Sequence, residues 1–168
     1  MRLQLAISTA TASLWLAGLS GCLLPTYNLS VSIDKSVSTQ LRTVVDIIGV
    51  NQDDRKYLSS RTYEDYWSDA GAAPTSIHRM VLERRPDGRS RPARLSKNDS
   101  IWREWGRIDA LIIVARYPVA GARNENGKLL SDPRCLSLPI APKQWRGKTL
   151  RVVLMETGVV CTTPPRDR

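Results

Sequence analysis

The chain has 168 residues and a formal charge of +9, with 25 Lys and Arg against 16 Asp and Glu, no Phe and one His. Apolar content is ordinary for a globular protein, which excludes a disordered or collagen-like chain. There is one histidine, and with Cys135 and Cys161 expected to be bridged no zinc-type ligand cluster remains.

Arg2 precedes an apolar run over residues 3–19 that closes in Leu19-Ser20-Gly21-Cys22. A charged n-region, an apolar h-region and a small-residue site make up a secretory signal. The run holds Ser and Thr and falls short of the ~20 apolar residues of a membrane span. Its end resembles the lipobox of bacterial lipoproteins. That resemblance implies lipidation of the Cys22 thiol, cleavage just before it and acylation of the new amino terminus. One acyl chain binds a membrane only marginally, at about 0.8 kcal/mol per buried methylene, so the three implied chains would hold the protein there. Leu23, where an Asp would signal inner-membrane retention, favours the outer membrane within the same resemblance. The expected organisation is a signal peptide over 1–21, a lipidated tether over 22–28, one β-sandwich domain over 29–163 and a frayed tail over 164–168. The mature chain, about 147 residues, suffices for one core.

Residues 29–33 alternate Leu29, Val31 and Ile33 with polar residues, the period of a half-buried strand. Residues 41–50 (LRTVVDIIGV) are nearly all apolar and β-branched and predict a central strand. Asp46 interrupts that run, and a carboxylate there calls for an arginine on a neighbouring strand. Residues 51–60 (NQDDRKYLSS) are polar and predict an exposed loop. Thr62 is a candidate cap for a helical turn over 62–68, and Tyr63, Tyr66 and Trp67 share one face of it, as a core contact laid over a sheet.

Residues 77–83 predict another strand, Pro86-Asp87-Gly88 a turn, and 91–95 the returning partner strand. This hairpin is the densest basic stretch, and Arg84, Arg85, Arg89 and Arg91 are its candidates for binding an anion. It has no interleaved aromatics to stack on single-stranded nucleic acid. Ser96 or Asn98 is expected to cap a short helix carrying Trp102 and Trp105. Residues 108–117 (IDALIIVARY) predict a second central strand, stopped by Pro118. Residues 119–133 read as a long loop. Residues 135–140 predict an edge strand because of Pro139, and 149–155 and 158–161 the last two strands.

With Cys22 assigned to lipid, Cys135 and Cys161 remain as a pair in an oxidising compartment, where a bridge between them is favoured over two buried free thiols. Seven or eight short strands with one or two helical turns predict an antiparallel β-sandwich, with a small α+β sheet as the alternative. No nucleophile elbow, phosphate loop, dinucleotide fingerprint or zinc helix occurs, and no spacing brings Asp46 and Asp132 together as an acid–base pair. The chain is expected to be no enzyme, to need no cofactor or metal, and to bind no nucleic acid.

Order and texture resemble the outer-membrane lipoprotein of type VI secretion systems, the TssJ-like family. The matching segments are the lipobox, TVVDIIGV, TYEDYW, LIIVARY, Trp145 and LRVVL. The resemblance implies a two-sheet sandwich with small added helices. It also implies a non-enzymatic, lipid-anchored module facing the periplasm, whose loops dock onto the periplasmic domain of an inner-membrane partner. It places a partner-binding loop near Asp53, Asp54, Arg55 and Lys56. The Cys135/Cys161 pair and the Arg-rich hairpin depart from the family pattern. The alternative function is binding of an anionic cell-wall or lipid ligand through that hairpin.

Overall fold

In a computed structural model, residues 27–166 are described except 38–41, 69–72, 86, 88–89, 120–126 and 142. The signal, Cys22, residues 86 and 88 of the turn, Arg89 and the middle of the 119–133 loop lie outside the described residues.

Eight strands form in chain order: β1 (Asn28–Ile33), β2 (Arg42–Val50), β3 (Ile77–Glu83), β4 (Ala93–Leu95), β5 (Ala110–Arg116), β6 (Cys135–Pro139), β7 (Thr149–Met155) and β8 (Gly158–Cys161). Three short helices accompany them: α1 (Gln52–Ser59), α2 (Tyr63–Ser68) and α3 (Ile101–Trp105). The strands divide into two four-stranded sheets, ordered β4-β1-β7-β8 and β3-β2-β5-β6. The predicted sandwich is therefore present, with β2 and β5 central and β6 at an edge as their composition required. One pairing departs from the antiparallel expectation: β1 runs parallel to β7, with Leu29 opposite Leu150 and Ile33 opposite Leu154.

Strand alternation explains the layering. In the first sheet Leu29, Val31, Leu150, Val152 and Leu154 point inward and are at most 1 % exposed. They meet Val45, Ile47, Leu111 and Ile113 of the second sheet in one core, which Trp102, Trp105 and Trp145 extend. The central strands of the second sheet are apolar on both faces. Their other face, with Ile48, Val50, Ile112 and Val114, packs under Leu58 of α1 and Tyr63 and Tyr66 of α2. A near-continuous apolar run in sequence is what a strand covered on both sides needs.

The hairpin expected over 77–95 does not form. β3 pairs with β2, whereas β4 crosses to the first sheet and pairs with β1. Among the described residues, an isolated bridge between Arg84 and Ser90 joins the two arms. Leu82 and Leu95 are both 1 % exposed on inner faces, so crossing between sheets puts both arms over the common core. Neither Ser96 nor Asn98 caps α3: the N-cap is Ser100, which makes no side-chain cap hydrogen bond, while Asp99 Oδ1 accepts from the Ile101 amide at 3.1 Å and the Ser96 hydroxyl from Asn98 N. Residues 164–166 do not fray, because Arg146 N donates to Pro164 O and Arg166 N to Gln144 O.

The predicted disulfide is absent: Cys135 and Cys161 are free thiols. Register gives the reason. Cys135 lies opposite Val114 and shares its outer face under the helices. Cys161 lies opposite Val152 and packs on the core between the sheets. The second sheet separates the two side chains. Burial raises both thiol pKa values above the ordinary range.

Candidate partner-binding surface

The polar stretch after β2 is a helix, not the loop its composition suggested. Asn51 is extended and its side-chain oxygen accepts from Asp53 N at 2.8 Å and Asp54 N at 3.0 Å. Asp54 Oδ2 accepts in return from Asn51 N at 3.1 Å, completing a capping box. Two acidic residues in the first turn favour the positive end of the helix dipole. Leu58, fully buried, is the anchor that lays α1 on the sheet.

The four residues predicted to meet a partner therefore divide. Asp53 and Lys56 face solvent and lie 3.6 Å apart across one turn. Asp54 serves the cap. Arg55 Nη2 donates to Asp109 Oδ1 at 2.6 Å, tying α1 to the residue that precedes β5. The outward surface of α1 thus includes Gln52, Asp53, Lys56 and Tyr57, the last 39 % exposed. The Arg61 guanidinium stacks 5.1 Å from the Tyr57 ring centre, holding that ring in place. Sequence reading missed Tyr57 and Arg61. The signal that could have found them is Asn51-x-x-Asp54, a capping box that makes the following residues helical and turns Tyr57 about 100° round the helix from the buried Leu58.

The next helix covers the same face of the second sheet. Thr62 caps it as expected: its Oγ1 accepts from Asp65 N at 3.0 Å, and the Asp65 carboxylate accepts from Thr62 N at 3.3 Å. The Thr62 hydroxyl holds the Asp65 carboxyl below its usual range. Tyr63 and Tyr66 face the sheet, so the aromatic face is a core contact. Tyr63 donates to Ala115 O at 2.9 Å, and Tyr66 to Asp46 Oδ2 at 2.9 Å.

Asp46 has the arginine partner its position demanded. Arg79, directly opposite on β3, donates from Nε to Oδ1 at 2.7 Å and from Nη2 to Oδ2 at 2.8 Å. Asp132 has its own: Arg134 donates to both of its oxygens, at 2.8 and 2.7 Å, and stacks 3.4 Å from the centre of the Tyr63 ring. The two carboxylates are each neutralised by an arginine and form no acid–base pair. Among the described residues, no group of three or more His, Cys, Asp or Glu is placed to hold a metal ion.

Of the basic residues near the expected hairpin, Arg84 is engaged by backbone carbonyls. Arg84 turns back, and its Nη1 donates to the carbonyls of Lys35 at 3.0 Å and of Val37. It closes the chain after β1 rather than offering a charge to a ligand. Arg85 and Arg91 are exposed on either side of the bridge.

No family model and no curated protein matches this sequence. Solved structures resemble it in fold. The type VI secretion lipoprotein TssJ1 from Pseudomonas aeruginosa is 12 % identical, with 85 % of this chain and 100 % of that one covered at a TM-score of 0.48. Serratia marcescens Lip, a membrane-bound component of the type VI secretion system, is 11 % identical over 81 % of this chain and 96 % of its own, at 0.49. A chain of a type VI membrane complex is 12 % identical over 82 % and 98 %, at 0.54. That last likeness is one of fold, and it agrees with the two-sheet sandwich that the resemblance implied.

Proposed function

We propose that this protein is a lipid-anchored, periplasm-facing binding module of a type VI secretion membrane complex. In this reading it is held at the outer membrane through Cys22 and docks through the exposed face of α1 onto the periplasmic domain of an inner-membrane protein. The observation that carries the reading is the fold shared with a chain of a type VI membrane complex over 82 % of this chain. The lipobox at residues 19–22 supports it independently.

The surface suits a protein partner better than a small ligand. Tyr57 offers a partly exposed aromatic ring held by Arg61, flanked by one acidic and one basic side chain. Aromatic anchors ringed by mixed charges are frequent centres of binding energy at interfaces. Because α1 is capped and anchored, little ordering entropy is lost on docking.

The test is a pull-down of the lipidated protein from envelope, with captured proteins identified by mass spectrometry, followed by binding to the isolated partner at two ionic strengths. An inner-membrane secretion component should be recovered. The variant Asp53→Ser/Lys56→Ser/Tyr57→Ala should bind it about tenfold more weakly at both ionic strengths, because packing is lost along with charge. Neutralising Arg85 and Arg91 should slow association only at low salt. Recovery of no secretion component would refute the function. An unchanged dissociation rate in the α1 variant would refute this docking surface.

A further inference from the structure

The two outer faces of the sandwich differ. Helices α1 and α2 cover the second sheet. Among the described residues the outer face of the first sheet carries no helix, and its outward strand positions include no Asp or Glu. Register puts Ser30 opposite Arg94 on one side and opposite Arg151 on the other. Two exposed guanidinium groups thus flank one hydroxyl across three strands, their backbones about 10 Å apart from the strand spacing. Neither takes part in an ion pair or a side-chain hydrogen bond among the described residues. Between them runs a groove of about 550 Å³ lined by Asn28, Ser30, Arg94, Ser96, Thr149 and Arg151. Asn28 Oδ1 accepts from Lys97 N, which turns the amide group of Asn28 into a donor. A second recess, bordered by Arg146 and Lys148, shares Thr149 and Arg151 and extends the basic surface.

The groove's place in the chain identifies its occupant. Tyr27 is buried, and its hydroxyl donates to Ala141 O at 3.1 Å. The groove begins at the next residue. Cys22 lies five residues before Tyr27, so the two are at most about 18 Å apart even when the connection is fully extended. A lipid on Cys22 therefore holds the groove beside the headgroup layer. The anchor raises the effective concentration of headgroups at the groove.

We propose that the groove between Arg94 and Arg151 binds the phosphate of an anionic lipid in the membrane that anchors Cys22. The two guanidinium forks take the phosphate oxygens, and Ser30, Thr149 and Asn28 donate at its edge. The bound headgroup turns the first sheet toward the bilayer and presents α1, on the opposite sheet, toward the periplasm. The proposal rests on the Cys22 anchor argued above.

The lipidated protein, purified from membranes in uncharged detergent, is examined by native mass spectrometry with dihexanoyl phosphatidylglycerol, dihexanoyl phosphatidylcholine or inorganic phosphate added. One phosphatidylglycerol should be retained per chain and phosphatidylcholine should not. Arg94→Gln/Arg151→Gln should weaken retention roughly thirtyfold. Arg94→Lys/Arg151→Lys should lose less, because charge remains while the fork geometry is gone. Both variants should melt with wild type, since the side chains point outward, and Arg85→Gln/Arg91→Gln should retain phosphatidylglycerol as wild type does. Equal retention of the two lipids, unchanged retention in Arg94→Gln/Arg151→Gln, or inorganic phosphate bound as tightly as phosphatidylglycerol would overturn the proposal. The intact mass reports the anchor separately. An unacylated chain that still selects phosphatidylglycerol through these arginines refutes the anchor and leaves the groove. An acylated chain that does not select it refutes the groove.

Discussion

Arg79→Met tests the main electrostatic element of the fold. Asp46 is completely buried in the second sheet, beneath α2, and accepts two hydrogen bonds from Arg79 and one from Tyr66. Hydrogen bonding to Asp46 raises the Arg79 pKa, and burial first, then the Asp46 charge, lifts the Tyr66 phenol far above its ordinary value. Methionine keeps the aliphatic stem and removes the charge. Breaking a buried pair costs about 3–5 kcal/mol. The Arg79 side chain is 58 % exposed, so water replaces part of what it supplied and about 2–3 kcal/mol is expected. In a chain of this size that lowers the melting temperature by roughly 5–10 °C. Asp46→Leu/Arg79→Met, with both charges gone, should recover more than half of the loss. Urea unfolding of a chain that starts at Leu23, followed by tryptophan fluorescence, measures both variants against wild type. A loss below about 0.5 kcal/mol would refute the reasoning.

Gly49→Ala places a Cβ 2.5 Å from the Trp105 ring and 2.8 Å from Ile108 Cδ1, so it should cost about 1–3 kcal/mol in the same urea assay, with a shift in Trp105 emission. Asn51→Ala removes the acceptor for two α1 amides and should cost about 1 kcal/mol, with faster hydrogen exchange confined to the first turn of α1. In the native protein at pH 8, Cys161 should be alkylated at least roughly tenfold faster than Cys135, because Cys135 is the more deeply buried. Both thiols should react fully in denaturant without reductant, and a mass two hydrogens short of the dithiol would contradict the free pair.

The strands were legible because their burial is written in residue type. Apolar runs on both sides of Asp46 and over 110–115 can satisfy themselves only between a core and a cover, which makes β2 and β5 central. Alternation over 29–33 specifies a strand with one wet face. Asp46 likewise demanded an arginine, and Arg79 stands opposite it. Pairing was less legible. Nothing local tells β4 to join β1 instead of β3, because Leu95 finds the same core from either sheet. The free cysteines were missed for a related reason: even spacing and compartment say nothing about which side of a sheet each thiol faces. α1 was missed because polar composition outweighed the Asn51/Asp54 cap and the single apolar anchor Leu58. The candidate groove was the least legible feature. Arg94 and Arg151 are 57 positions apart in the chain and become neighbours only through the parallel β1–β7 pairing.

That pairing also separates the two proposed surfaces. β2 and β5 are apolar on both faces, so the chain leaving β2 must return over the sheet as helices, and the outward side of α1 becomes a protein-sized surface as a by-product of covering Ile48, Val50 and Ile112. β1 and β7 alternate instead, with Leu29 and Leu150 inward and Ser30 and Arg151 outward, so the first sheet needs no cover. Over β1 and the start of β7 the outer face is polar, with Val153, Met155 and Val160 at its far end. β1 is also the strand that follows the proposed tether. In the proposed reading the basic part of this sheet lies against the headgroups, and the helix-covered sheet is left for a partner approaching from the other side.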